Sequence, residues 1–318
     1  MSDRSNLIGI SSAIGATICF SVNDMTIKFL SGDYALHQII LIRSLIGTFA
    51  LMAIAMPLAG GWKVLHTKNL RLHMLRGLCV VVANMSFFLA LSRLPLADAT
   101  TIMFVSPMLI TAMSAVILGE YVGPRRWIAV GIGLVGVIFV MQPGAGTFQA
   151  ASLLPLIAAC FYATLHILTR KIGRADSALT MVLYVQFVFV VASALFGLIF
   201  GRGTFLDSAP PALEFLLRPW VWPPSTDWGI LAMVGVVSAI GGTLISQAYR
   251  LCEAGLAAPF EYLALPLSVF WGVMIFGDWP QVTTWAGILL ILSGGLYMVW
   301  REALQSKPLV AAAPPKRR

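Results

Sequence analysis

Charge is what this sequence has least of. Asp, Glu, Lys and Arg make up 11% of its 318 residues and hydrophobic residues 59%, with a mean hydropathy of +0.88. A soluble domain carries ~25% charged and ~45–50% apolar residues, so this balance excludes a water-soluble globule and defines an integral membrane protein. Cysteine and histidine are scarce too. Cys19, Cys79, Cys160 and Cys252 fall in or at the ends of apolar runs without close spacing, which excludes a disulfide framework or a CxxC metal site and leaves them as small packing residues. His37, His66, His73 and His166 share no catalytic spacing. There is no GxxxxGK[ST], no HExxH and no GxSxG, so no cofactor, metal or P-loop nucleotide is expected. A literal GxGxxG, Gly131, Gly133 and Gly136, sits inside the apolar run Trp127–Met141 with no strand before it and no acidic residue placed for a ribose. It reads as helix packing, because small residues let membrane helices approach closely.

What is present is apolar length. Crossing a ~30 Å hydrocarbon core takes ~20 helical residues at 1.5 Å rise, and ten runs qualify: 7–30, 34–58, 72–92, 97–118, 125–142, 152–172, 178–200, 228–250, 255–277 and 281–300. The first is too long for a signal-peptide core and lacks an A-x-A cleavage site. Breakers mark the short turns: Pro57 with Gly60 and Gly61, Pro95, Gly123 with Pro124, Pro143 with Gly144, and Asp278 with Pro280.

Basic residues set the orientation. With the N-terminus inside, sixteen of the 21 lie on the cytoplasmic side: Arg4, Lys63, Lys68, Arg71, Arg76, Arg125, Arg126, Arg170, Lys171, Arg174, Arg250, Arg301, Lys307, Lys316, Arg317 and Arg318. Only Lys28, Arg93, Arg202 and Arg218 lie outside, and Arg43 falls within a span. The positive-inside rule places both termini in the cytoplasm, as an even number of spans requires. The net charge of +8 is therefore a topology signal, and the terminal PPKRR is too short for a nucleic-acid patch. The long outer loop, 201–227, holds PPALEFLLRPWVWPP, whose prolines break regular structure and whose tryptophans suit a membrane interface. It reads as an interfacial cap, with a substrate-receiving lid as the alternative.

The chain is also doubled. Sliding it by 158 superposes Ala90 on Ala248, Ala99 on Ala257, Gly119 on Gly277, Glu120 on Asp278, Trp127 on Trp285 and Gly136 on Gly294, while Pro107 and Pro266 miss that register by one. The run 254–279, AGLAAPFEYLALPLSVFWGVMIFGDW, carries one carboxylate, Glu261, within helix-length apolar sequence. Two such halves in a membrane suggest a transporter.

The doubled unit has a mid-helix proline, LGE at 118–120 echoed as FGD at 276–278, a Trp seven residues on, and a Gly-rich final helix. It resembles the EamA domain of the drug/metabolite transporter superfamily, over about residues 7–300. The resemblance implies ten transmembrane helices in two inverted five-helix repeats, 1–143 and 150–301, followed by a disordered basic tail, 302–318. It further implies both ends in the cytoplasm of a bacterial inner membrane, and alternating access without ATP. The run APFEYLALP looks most like the branch with bacterial riboflavin and S-adenosylmethionine carriers.

Charges at membrane depth cost ~2.5–3.5 kcal/mol on insertion scales, so Asp24, Arg43 and Glu261 each need a partner, water or a purpose. Asp24 lies about 9 Å and Arg43 about 13 Å from the outer ends of their spans, close enough in depth to pair. The alternative for Asp24 is an i,i+4 pair with Lys28 snorkelling outward. Sliding by 142 places His166 on Asp24, and inversion would bring it about 9 Å from the cytoplasmic end, the depth of Glu261. Asn84, Tyr162, Tyr184, Gln186, Gln247, Tyr249, Tyr262 and Trp271 are candidates for a polar and aromatic lining, each with core packing as the bland alternative. Carboxylates with an arginine suit a zwitterion or a polar ring compound. The expected substrate is a planar nitrogen-containing metabolite such as riboflavin or S-adenosylmethionine, moved with a proton or sodium by a monomer or homodimer. The alternatives are an amino-acid or drug exporter and, from another class, a multi-span membrane enzyme.

Overall fold

The computed structural model describes residues 3–117, 124–142, 149–172, 176–206, 213–251 and 260–305. The LGE motif at 118–120, the start of the Glu261 run at 254–259 and most of the basic tail lie outside them. The described residues form helices joined by turns: α1 (Asp3–Leu30), α2 (Leu36–Ala50, prolonged through Leu51–Ala55 and Met56–Leu58), α3 (Leu70–Leu91), α4 (Leu96–Met103), α5 (Ser106–Ile117), α6 (Pro124–Met141), α7 (Leu153–Ile172), α8 (Ala178–Phe200), α9 (Trp228–Leu251), α10 (Ala264–Trp271, prolonged through Gly272–Phe276) and α11 (Val282–Gln305). Helices are what a bilayer demands, since each backbone N–H and C=O must be satisfied within its own segment.

Six are long and apolar enough to cross a membrane: Leu7–Leu30, Leu36–Leu58, Leu70–Leu91, Ala150–Thr169, Ala178–Phe200 and Trp228–Ala248. Four shorter apolar stretches, Leu96–Ile110, Trp127–Met141, Ala264–Phe276 and Val282–Tyr297, fall in the remaining four runs. Large apolar side chains stand outward on the helix flanks, with Phe49 74% and Leu198 80% exposed. Such a surface is unfavourable in water and natural in lipid, and the chain is a multi-pass membrane protein.

Packing runs between the halves of the chain. α1 lies against α9, α3 against α7, α2 against both α8 and α9, and α6 against α11. The main core is built from Ile27, Leu36, Ile40, Phe88, Leu91, Phe189 and Leu231 on α1, α2, α3, α8 and α9. Glycine makes the α6–α11 contact possible: a Cβ on Gly136 would come within 3.1 Å of the Gly287 carbonyl oxygen, and one on Gly287 within 2.9 Å of the Gly136 oxygen. Two of the glycines of the GxGxxG run thus serve close helix approach, since Gly133 accommodates the Met108 side chain in the same way.

The run 97–118 is not one helix. It breaks at Phe104 and Val105, just before Pro107, whose missing N–H removes the bond to the Met103 carbonyl. Ahead of Pro266 the chain likewise turns, at Tyr262 and Leu263, before α10 begins. The two breaks meet, with the Phe104 and Tyr262 rings 5.4 Å apart.

Tracing the chain assigns the turns to two ends. One, the cap end, gathers 31–35, 92–95, 201–206, 213–227 and 277–281; the other, the latch end, gathers 59–69 and 176–177. Arg76, counted above with the cytoplasmic loops, is instead inside α3 and 6% exposed, because the helix already begins at Leu70.

Candidate functional site

The polar centre is assembled on α1. Ser21, Asn23 and Asp24 fall on one apolar helix, and Asn23 Nδ2 donates to Asp24 Oδ1 at 3.0 Å. From α2, Arg43 Nη1 donates to Asn23 Oδ1 at 3.1 Å. The expected pairing of Asp24 with Arg43 is therefore relayed through an asparagine. The Arg43 guanidinium sits between the rings of Phe88 on α3 and Phe189 on α8, 5.5 and 5.2 Å from their centroids. A planar cation held between two aromatic faces is fixed in direction as well as position. Lys28 does not pair with Asp24: its Nζ donates to the Leu91 and Leu94 carbonyls and stands 3.7 Å from Asp278 Oδ2. That leaves the Asp24 carboxylate turned into the bundle.

Across from it, α7 supplies Tyr162 and His166, one turn apart, with ring centroids 4.6 Å apart in an edge-on contact. The charges of both Glu261 and Asp24 reach the Tyr162 hydroxyl. Arg76 acts in the same way on His166. Trp271 on α10 donates from Nε1 to Ser21 Oγ at 2.8 Å. Asn84 turns its amide back to the Val80 carbonyl at 3.1 Å. Asp24, Asn84, Tyr162, His166, Glu261 and Trp271 are all half-buried rather than sealed. Together they present carboxylates, an amide, a hydroxyl and flat rings, with the Arg43 guanidinium buried beside Asn23.

The remaining candidates fall elsewhere. Tyr262 is buried in the second core, its ring seated over Gly295, where any Cβ would collide with the phenol, and its hydroxyl has no hydrogen-bond partner among the described residues. Gln186 is buried against Gly47 of α2. Gln247 is half-buried on α9, and the side chain of Tyr249 lies outside those described. Tyr184 belongs to the latch end, where its hydroxyl donates to the Leu65 carbonyl at 2.7 Å and its ring stacks on His73 at 4.9 Å.

Each end is closed by a strap. At the latch end Asp176 Oδ2 accepts from Thr67 Oγ1 (2.9 Å) and Asn69 Nδ2 (3.3 Å) and bonds His73 Nε2 (2.9 Å). Burial works to raise the pKa of this carboxyl, and the three hydrogen bonds outweigh it, holding the group below its ordinary value. At the cap end Gln38 takes both sides of one peptide, donating to the Val221 carbonyl at 2.5 Å and accepting from Val221 N at 3.1 Å. Arg218 donates to the Ser31 and Gly32 carbonyls, and Tyr34 donates to Asp227 Oδ2 at 2.5 Å. Burial, with that bond to Asp227, pushes the Tyr34 phenol up to about 12. Of the loop expected as a cap, Arg218, Val221 and Asp227 are thus tied to the start of α2 and the turn before it.

Sequence reasoning missed Asn23, Ser21 and Arg76. The signal for Arg76 was available, because position 76 falls inside the apolar run 72–92 and not between runs. Nothing local marks Asn23 as a relay.

An all-helical, multi-pass membrane protein with a polar centre defines the class. Residues 7–142 match the EamA-like transporter family. The chain is 29% identical to the riboflavin transporter of Vibrio cholerae over 76% of both chains. It is 24% identical to the S-adenosylmethionine uptake transporter of Rickettsia prowazekii, over 94% of this chain and 95% of that one. A pseudopaline exporter of Pseudomonas aeruginosa is 25% identical, over 89% and 93%. A solved crystal structure superposes with a TM-score of 0.62 at 19% identity, covering 96% of this chain and all of that one, and so shares the fold.

Proposed function

We propose that this protein is a secondary transporter of the inner membrane that moves a small polar, nitrogen-containing metabolite by alternating access. The observation that carries this reading is the Arg43–Asn23–Asp24 relay inside the bundle. Charged groups at membrane depth are costly where nothing uses them. On this reading ten helices form two inverted repeats, 1–143 and 150–301, with both termini in the cytoplasm. The reciprocal packing of α1 on α9 and α3 on α7 supports that arrangement. The broken helices meeting at Phe104 and Tyr262 support it too, since discontinuous helices in equivalent positions mark transporter binding sites.

The relatives named for riboflavin and S-adenosylmethionine make those two compounds the first to test. Purified protein in liposomes is expected to move one of them without nucleotide, and an obligate need for ATP would overturn the reading. Glu261 is the proposed coupling carboxylate. Glu261→Gln is expected to abolish accumulation, at least tenfold, while leaving the fold intact; a variant that concentrates solute as well as the parent across a proton gradient removes Glu261 from that role. The relative named for export favours a second reading, outward transport, which inside-out vesicles distinguish.

A further inference from the structure

The first half of the chain buries two arginines, and they are not equivalent. Arg43 has the Asp24 carboxylate within electrostatic reach, through Asn23. Arg76, 6% exposed on α3, has one hydrogen bond, from Nε to Thr169 Oγ1 of α7 at 2.9 Å. Its Nη1 is buried without any partner, and no carboxylate pairs with it among the described residues. A buried guanidinium with neither counter-ion nor full hydrogen bonding is strongly unfavourable, so such an arrangement persists where a ligand completes it. Arg76 also adjoins the polar centre. Its partner Thr169 lies three residues, about 4.5 Å of helix, from His166, whose ring contacts Tyr162. Thr169 lies seven residues beyond Tyr162 on α7, about 10 Å along the helix. The centre thus has an acidic pole at Asp24 and Glu261 and a basic pole at Arg76.

We infer that Arg76 is a specificity residue that binds an anionic group, a carboxylate in the first instance, on the transported solute. The inference rests on the transporter reading above and narrows it. The solute carries a carboxylate as well as a cationic or hydrogen-bond-donating part, as S-adenosylmethionine does and riboflavin does not. Guanidinium geometry suits this, because its fork matches both oxygens of a carboxylate.

The test uses two probes that differ only in the carboxylate, S-adenosylmethionine and its decarboxylated analogue, with riboflavin as a third, in binding and liposome uptake by the full chain. The parent is expected to prefer S-adenosylmethionine about 10- to 100-fold, the worth of a charge-assisted hydrogen bond. Arg76→Gln is expected to erase that preference by weakening S-adenosylmethionine alone, and Arg76→Lys to restore part of it. A parent indifferent to the carboxylate, or a glutamine variant that weakens both probes alike, overturns the inference and leaves transport standing. Selective handling of riboflavin overturns it as well. If the parent moves none of the three, the transporter reading for these solutes falls first and takes Arg76 with it. A drop in the solute-free melting point of Arg76→Gln, with the parent's preference retained, marks the residue as structural.

Discussion

The two straps occupy the same place in each half of the chain and are built from different chemistry. In the first half the connection between α2 and α3 folds onto Asp176; in the second, residues 213–227 ahead of α9 fold onto the segment 31–38. Each half therefore closes one end of the other. The latch strap converges on a single buried oxygen, Asp176 Oδ2, with two further side-chain bonds to backbone from Thr180 to the Val64 carbonyl and Tyr184 to the Leu65 carbonyl. The cap strap is spread over Gln38, Arg218, Tyr34 and the half-exposed Glu214 pairs, with Trp220 lodged over Gly197. The contrast is between one concentrated, titratable contact and many dispersed ones. On the transporter reading, each strap must release once per cycle, so the concentrated one is the more easily switched.

The largest expected effect follows from that concentration. Asp176→Ala leaves the buried His73 and the half-buried Thr67 and Asn69 without their acceptor, and a stranded buried partner such as His73 costs about 1–3 kcal/mol. The apparent melting temperature in detergent should fall accordingly. Asp176→Asn keeps an acceptor but loses charge assistance, and should fall between parent and alanine. The pH dependence has a defined sign. Because the Asp176 carboxyl is held below its ordinary value, its contribution is complete above the unfolded value of about 3.9 and is lost as pH falls through the depressed value. The melting-temperature gap between parent and Asp176→Ala should therefore close under strongly acid conditions. A gap that widens there would reverse the assignment.

A smaller effect is expected at the cap end. Gln38→Leu removes both bonds to Val221, at a net worth of about 1 kcal/mol for partners that water reaches. Limited proteolysis should then cut the 213–227 segment faster while the latch end keeps its protection. Equal loosening of both ends would mean that the straps are not independent.

How much of this was legible in the sequence depends on range. The apolar runs and the packing role of Gly133 and Gly136 are local consequences of hydropathy and a missing Cβ, each visible in a short window, whereas 97–118 was expected as one span and its break follows from the missing N–H of Pro107. The straps are visible in no such window. Thr67 and Asp176 are 109 residues apart, and no spacing rule joins a threonine in one loop to an aspartate in another. The same holds for Lys28, whose nearest sequence partner is Asp24 but whose actual partners, the carbonyls of Leu91 and Leu94, are backbone atoms with no sequence signature. Asp24 with Arg43 was partly legible, because depth along two adjacent helices fixes proximity, whereas the intervening Asn23 depends on side-chain direction.

The smallest effect belongs to the ion pairs that look most conspicuous. Glu214 meets Arg93 at 2.8 Å and Arg218 at 3.4 Å, but its side chain is 48% exposed and those of the arginines 34% and 20%. Pairs so open to solvent contribute ~0–1 kcal/mol and are screened at physiological salt. Arg218 also keeps its bonds to the Ser31 and Gly32 carbonyls when Glu214 is neutralised. Glu214→Gln should therefore leave the melting temperature within error of the parent at about 0.15 M salt, with any difference appearing only at low ionic strength. Should it instead destabilise the protein as much as Asp176→Ala, the cap strap would be as concentrated as the latch strap, and the asymmetry between the two ends would be gone.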